Sequence, residues 1–521
     1  MNKSNSLLWH SWARWGGERI RAYRVPLISA LVVGFLSYMF AFTNKLPNYD
    51  DVSSLLSKGA TVDSGRWGLE LIDIIFPNFS MPWIYGVITL ILIALSVCLI
   101  CHIFRIQNPV IQALLAGSIV AFPSLIGTFT FMFTASSYGI SFLLAVLAVW
   151  VLQFEKKWTP ALAVLCMVFS LSIYQSYISL TASLLVLVLI WQLFHGEDVK
   201  KVLRRGVVYL GFLIVSLGLY YFITLCVNAL LHVTFNSYAA NNLQFEFSAL
   251  PKKILVAYYE FTEAFRGDSI LLLTSTSRWL NRFCVVAAGI LWLLLVIHRK
   301  NRGAGWLVLL TILTMILPLA INCMYLFTIV ASIHTMVLYG FVSLYVLFAI
   351  LADQWLSEVE VPAGAARMWG QVSIHLMTLC MALAIIGNVY AANEAFLNLH
   401  LRYENTYAFY TALVADIQTM PGFDEDTKVA IVGDFEDPYK RDTLYFAFQD
   451  VRRITGTWGI SPGFYSKAAF LDYYLGMHFS CVPDAEAEAF RQLPEFAEMP
   501  CYPYYGSIRM IGDTIVVKLS N

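Results

Sequence analysis

Two adjacent carboxylates, Asp50 and Asp51, stand at the head of a short amphipathic stretch, Pro47-Asn48-Tyr49-Asp50-Asp51-Val52-Ser53-Ser54-Leu55-Leu56. Aspartate is favoured at a helix N-terminus, where free amides and the helix dipole stabilise its charge. The plain reading is therefore a cap. The chemical reading is that one aspartate caps while the other is a carboxylate base held ionised. Gly65-Arg66-Trp67-Gly68 follows in the same polar stretch. A guanidinium fork matches the oxygens of a phosphate, and Trp67 offers an apolar face to a lipid or a sugar ring. The plainer alternative is an interfacial anchor beside a salt-bridged arginine. Tyr174-Gln175-Ser176-Tyr177 supplies hydroxyl and amide groups suited to sugar hydroxyls, or simply an aromatic belt at a tight turn. Arg266 and Arg278, with Lys252 and Lys253, have equal claims on an anionic headgroup, and Lys518 taken alone reads as an exposed strand residue. A Gly-rich phosphate loop, a His-Glu-x-x-His helix and a Gly-x-Ser-x-Gly elbow are all missing from the sequence.

These groups need a scaffold, and the composition says what kind. The chain is 59% apolar and 13% charged over 521 residues, against about 45–50% and about 25% in soluble domains. The apolar residues arrive in runs near the roughly 20 residues that a helix needs to cross a bilayer. A first run covers about 26–43, and others cover about 82–104, 109–126, 136–153, 160–179, 180–195, 206–231, 283–298, 305–328, 333–352 and 371–392. The reading is a polytopic α-helical membrane protein with about 11 transmembrane helices. No small-residue cleavage site follows the first run, which is expected to stay as a helix.

Lys and Arg set the orientation. Residues 3–24, Arg105, Lys156-Lys157, Lys200-Lys201 with Arg204-Arg205, and Arg299-Lys300 with Arg302 fall on one side if the N-terminus is cytoplasmic. The opposite short loops near 124–135, 174–179 and 329–332 carry no basic residue. Two long loops, 44–81 and 232–282, then lie outside, and long loops in compact proteins are usually functional. Residues 1–392 form the membrane domain. Residues 393–521 follow an odd number of crossings and form a small outer α/β domain: a helix over 394–418, a buried strand at 428–433 and a terminal strand at 514–519. Cys481 and Cys501 lie there, and an oxidising compartment would allow them to pair. Cys98 and Cys101 sit inside an apolar run with no second ligand pair and read as packing residues. No basic tract interleaves with aromatics, which argues against nucleic acid as a partner. Ionisable residues are scarce within the spans, with His334 and His375 isolated or near ends, which argues against an ion-coupled transporter.

The order of these motifs resembles one family. The carrying features are the basic N-terminus and first helix, Asn48-Tyr49-Asp50-Asp51, Gly65-Arg66-Trp67-Gly68 and Tyr174-Gln175-Ser176-Tyr177. The ending joins them, with Met499-Pro500-Cys501-Tyr502-Pro503, Gly506-Ser507-Ile508 and Val516-Val517-Lys518-Leu519. The chain is similar to the serotype-converting glucosyltransferases of bacterial O-antigen modification, polytopic enzymes of the C superfamily of glycosyltransferases. The resemblance implies an inner-membrane enzyme that takes a sugar, commonly glucose, from undecaprenyl phosphate at the periplasmic face. The acceptor would be lipopolysaccharide O-antigen or a related lipid-linked glycan, with membrane lipids around both substrates. It places an acidic residue of the first outer loop in catalysis, Asp50 or Asp51, and gives importance to a lysine near the C-terminus, Lys518. A direct, inverting displacement needs one carboxylate base and cations to meet the departing phosphate, for which Arg66 and Lys518 lead and Arg266 and Arg278 follow. Trp67, Tyr174, Gln175 and Tyr177 would hold sugar or acceptor. No cofactor is required, and a divalent metal is compatible but not indicated. A lipid-linked-glycan flippase or an O-antigen polymerase is the alternative.

Overall fold

A computed structural model describes residues 23–521 except 58, 60, 77–78, 237–246, 268, 300–301, 358–363, 425, 434–446 and 461–465. The basic residues Lys3, Arg14, Arg19, Arg21 and Lys300 of the orientation argument lie outside the described residues, as does Asp268 of the second loop.

Each apolar run folds as helix, because continuous apolar sequence with no polar face satisfies its backbone internally and buries or greases every side. Among the described residues nine helices are long and apolar enough to cross a membrane, and a tenth span counts if a bent pair is taken as one. The expected eleven are therefore not all full spans. The run at 160–179 gives only Thr159–Ile173, 15 residues, because the chain leaves the helix at Tyr174, whose backbone is extended. The run at 109–126 breaks into Pro109–Val120 and Pro123–Thr130, bent by 45°, since Pro123 lacks the N–H that would continue the first helix. The Val120 carbonyl left at this break accepts from Tyr38 Oη at 2.7 Å, and Tyr339 Oη donates to Ser124 O in the first turn of the second helix at 2.9 Å. Buried hydroxyls also bond between helices, as Ser141 Oγ does to Ser170 O at 2.8 Å.

The helix ends gather at two ends of the bundle. At one end, Gln107 N and Asn108 N donate to Asp353 Oδ1 at 3.0 and 2.8 Å, and Glu155 pairs with Arg205. At the other, Asn48 Nδ2 donates to Thr130 O at 2.7 Å, Gln175 Nε2 to Ser64 O at 3.2 Å, and Asn236 N to Asp63 O at 3.0 Å. The two long polar loops thus meet the short loops that carry no basic residue.

The last span continues without interruption from Ala365 to Gln418, 54 residues. The expected helix at 394–418 is its second half, so the boundary drawn at 392/393 falls inside one rigid rod. Beyond it lies a four-stranded sheet of order β2-β1-β4-β3, formed by β1 (Lys428–Val432), β2 (Ser480–Cys481), β3 (Ile508–Ile511) and β4 (Thr514–Lys518). β1 pairs in parallel with both β2 and β4, and β3 with β4 forms an antiparallel hairpin. Two of these strands are the ones the apolar runs predict. One face of the sheet packs Ile431, Ile515 and Val517 against Tyr410, Leu413 and Ile417 of the long helix, and the same cluster includes Val52 of the first loop.

Candidate active site

The first polar loop is assembled from its own cap outwards. Asn48, not either aspartate, caps the short helix Tyr49–Ser53: its side chain accepts from Asp51 N at 2.8 Å. The same side chain is pinned to Thr130, so the helix start is fixed to the bundle. Successive residues of that one turn then face different surroundings. Asp51 is 1% exposed. It pairs with Lys45 and accepts from Ser80 Oγ at 2.5 Å, while Lys45 Nζ donates to Ser80 at 2.7 Å. Asp50 instead lines a cavity of about 450 Å³.

That cavity also takes Arg66 from the first loop, Phe131 from the bend before the Met132–Val151 helix, and Phe133, Thr134 and Tyr138 from that helix. Tyr174, His334 and Met336 complete the bundle's contribution, and Thr455 arrives from beyond the long helix. The volume is that of a small-molecule site. Arg66 is held over the Tyr174 ring, 5.4 Å from its centroid, and its Nη1 donates to Tyr138 Oη at 3.4 Å. The Tyr138 and Tyr174 rings lie 4.6 Å apart. Gly65 makes this placement possible: its φ is +72°, and a Cβ there would stand 2.7 Å from Tyr220 Oη. The Tyr220 hydroxyl in turn donates to Gly65 O at 3.0 Å.

Two groups are shifted by these surroundings. Burial, then the charge of Asp50, pushes the Tyr49 phenol up to about 12. Burial, then the Arg66 guanidinium, pushes His334 down to about 4, so its imidazole is neutral at neutral pH. His334 Nδ1 shares a hydrogen bond with Thr455 Oγ1 at 3.2 Å. Thr455 is itself fixed by Thr335: Thr455 N donates to Thr335 Oγ1 at 2.9 Å. Among the described residues no three His, Cys, Asp or Glu side chains converge to hold a metal ion.

Of the residues singled out from sequence, the cavity brings together Asp50, Arg66 and Tyr174 and leaves the others elsewhere. Trp67 Nε1 donates to Thr224 Oγ1 at 3.1 Å, anchoring the loop to the Val199–Leu231 helix. Gln175 Nε2 is occupied by Tyr220 Oη at 2.8 Å. Tyr177 is fully buried among Tyr174, Tyr339 and Phe142. Arg278 Nη1 donates to Leu272 O at 3.4 Å, and Arg266 is exposed at the end of the Leu250–Arg266 helix; neither lines the cavity. Lys518 is 3% exposed within β4, where Nζ donates to Phe496 O at 3.1 Å and lies over the Phe496 ring. It is a core residue of the sheet, because the strand's inward face is closed by that phenyl ring. Cys481 and Cys501 are both free thiols. Sequence reasoning passed over His334, Tyr138 and Thr455. Only His334 carried a signal: a lone histidine beside a loop on the side free of basic residues.

A family model described as Glucosyl transferase GtrII matches residues 39–346, which include every cavity-lining residue except Thr455. The chain belongs to the GtrII glucosyl transferase family. It is thus a membrane-embedded glucosyltransferase, with a sugar donor and a glycan acceptor as its two substrates. No curated protein and no solved structure matches the chain. In this glucosyltransferase the match stops before the long helix and the sheet, so Thr455 is a contribution to the cavity from outside the matched region.

Proposed function

We propose that the enzyme moves glucose from undecaprenyl phosphate to an O-antigen or related surface glycan at the periplasmic face of the bacterial inner membrane, with Asp50 as the general base. The observation that carries this reading is the division of labour within one turn of helix: Asp51 is closed off by Lys45 and Ser80, while Asp50 opens on a cavity that it shares with Arg66.

An acceptor hydroxyl is a weak nucleophile at neutral pH. Asp50 takes its proton as the oxygen attacks the anomeric carbon. The bond from that carbon to the phosphate oxygen breaks as the new glycosidic bond forms, and a single displacement inverts the centre. The electron pair leaves with the lipid phosphate, and Arg66 meets its charge with planar donors. Tyr138 and Tyr174 hold the guanidinium in place. Neutral His334 adds a hydrogen-bonding group without a second charge. The positive-inside bias supports placing the cavity end outside.

The test is transfer by purified protein from a panel of undecaprenyl-phosphate sugars to delipidated O-polysaccharide. Transfer from the glucose-bearing carrier supports the reading. Transfer only from a nucleotide sugar, or movement of intact lipid-linked glycan across vesicles without transfer, would overturn it.

A further inference from the structure

A second cavity, of about 230 Å³, lies on the other side of the segment that walls the first. Residues 328–338 separate the two: His334 and Met336 line the first cavity, while Val330, Ile333 and Leu338 line the second. Ser269 apart, its polar side chains come from the Leu250–Arg266 helix and the segment after the Ala304–Ile321 helix. Glu260 and Glu263 are one helical turn apart on the first of these. Asn322 is fully buried. Its Nδ2 donates to Ala257 O at 3.0 Å, which leaves its Oδ1 as an acceptor without a partner among the described residues. A buried polar atom left in this state costs free energy unless something fills it. Tyr325 faces Glu260, and burial and that carboxylate push its phenol up, so the hydroxyl is spent on Glu260. Phe341, stacked on Phe261 with centroids 5.6 Å apart, gives the cavity an apolar face.

The chemistry of this lining is one-sided. Among the described residues it offers two carboxylates and an amide oxygen as acceptors and no lysine or arginine; its hydroxyls are those of Tyr325 and of Ser269, whose oxygen accepts from Leu271 N and Leu272 N. A phosphate is repelled here, whereas the first cavity holds Arg66. The matching ligand is neutral and rich in donors, with an apolar face for the phenyl ring. One water needs about 10–15 Å³ of such space; this cavity is far larger, on the scale of a sugar ring and not of a bare ion.

We propose that the second cavity is a subsite for a sugar of the acceptor glycan, whose hydroxyls donate to Glu263, Glu260 and Asn322 Oδ1 while a carbon face rests on Phe341. This deepens the function proposed above: donor phosphate on the Arg66 side of the 328–338 wall, acceptor chain on the acidic side. Removing one acceptor leaves a donor-rich ligand short of a bond, which sites built on such bonds discriminate strongly.

The test uses the full chain in detergent with delipidated O-polysaccharide as the probe. Binding is measured by calorimetry without donor, and transfer from undecaprenyl-phosphate glucose is measured separately. In Glu263→Ala and Asn322→Leu, polysaccharide Kd and acceptor KM should rise tenfold or more, with kcat and the KM for donor within about twofold. Glu263→Ala guards against a folding loss at the buried Asn322. Unchanged polysaccharide affinity in folded Glu263→Ala would overturn the proposal. So would Ca²⁺ or Mg²⁺ binding by the wild type that both variants lose, which would make this a cation site. Because polysaccharide binding is read without turnover, it separates this proposal from the transfer reaction: Asp50→Asn should bind polysaccharide normally, and a wrong donor assignment would leave the binding result standing.

Discussion

At the scale of single residues, neighbouring aspartates differ because one turn of helix points them at different partners. Asp51→Asn leaves the Lys45 ammonium in place with its counter-charge gone. Breaking a buried pair costs about 3–5 kcal/mol, and Lys45 is only partly buried, so a loss of about 3 kcal/mol is expected. Thermal unfolding in detergent should show the lower Tm, while transfer per folded molecule persists. His334 gives a pH prediction. The unfolded chain takes a proton near 6.5, but the native site resists until about 4. The native state therefore binds fewer protons in that window, and stability falls as pH drops from about 6.5 towards 4. At pH 5 the cost is about 2 kcal/mol. His334→Gln should flatten the Tm against pH between 7 and 5; an unchanged slope would show that other groups carry it. The pair Asp50-Asp51 and Arg66 were legible in the sequence as chemistry. Which aspartate is occupied was not, since Lys45 and Ser80 lie 6 and 29 residues from Asp51 and only the fold brings them there. The burial of Lys518 was illegible for the same reason: Phe496, which covers its ammonium, is a contact of the tertiary fold.

At the scale of elements, the cavity depends on chain segments clamped to one another. Gly456 adopts φ +84°, and a Cβ there would fall 1.9 Å from Thr130 Oγ1. The adjacent Thr455 O accepts from that same hydroxyl at 3.1 Å. Gly456→Ala should push Thr455 out of the cavity wall, cost about 1–3 kcal/mol of strain, and reduce kcat more than the variant Gly476→Ala, where a Cβ meets nothing. Equal kcat in the two would detach Thr455 from function. The apolar runs were readable because every one is helical, yet their lengths were not. Hydropathy alone does not see that Pro123 breaks a helix whose Val120 carbonyl Tyr38 then satisfies, nor that Tyr174 ends a span at 15 residues so that its ring reaches Arg66.

At the scale of the whole molecule, the Ala365–Gln418 helix is the link between membrane and sheet. At 1.5 Å per residue its 54 residues reach about 80 Å, well beyond a hydrocarbon core of about 30 Å. It carries the sheet to the cavity end, where Val52 joins the sheet's own core. In the proposed orientation a reporter fused after Asn521 should behave as periplasmic; cytoplasmic behaviour would invert the whole arrangement. The alternation of basic and non-basic loops is the sequence's argument for that side, whereas the contact between first loop and sheet was not legible, because it joins residues some 360 or more positions apart. Both loop and sheet converge on the turn that aims Asp50 into the cavity, and glucose transfer by Asp50→Asn, counted per folded molecule in detergent, tests that account most directly. The account predicts turnover reduced by a hundredfold or more, with an unchanged Tm and unchanged affinity for undecaprenyl-phosphate glucose. Turnover within a few-fold of the wild type would contradict it.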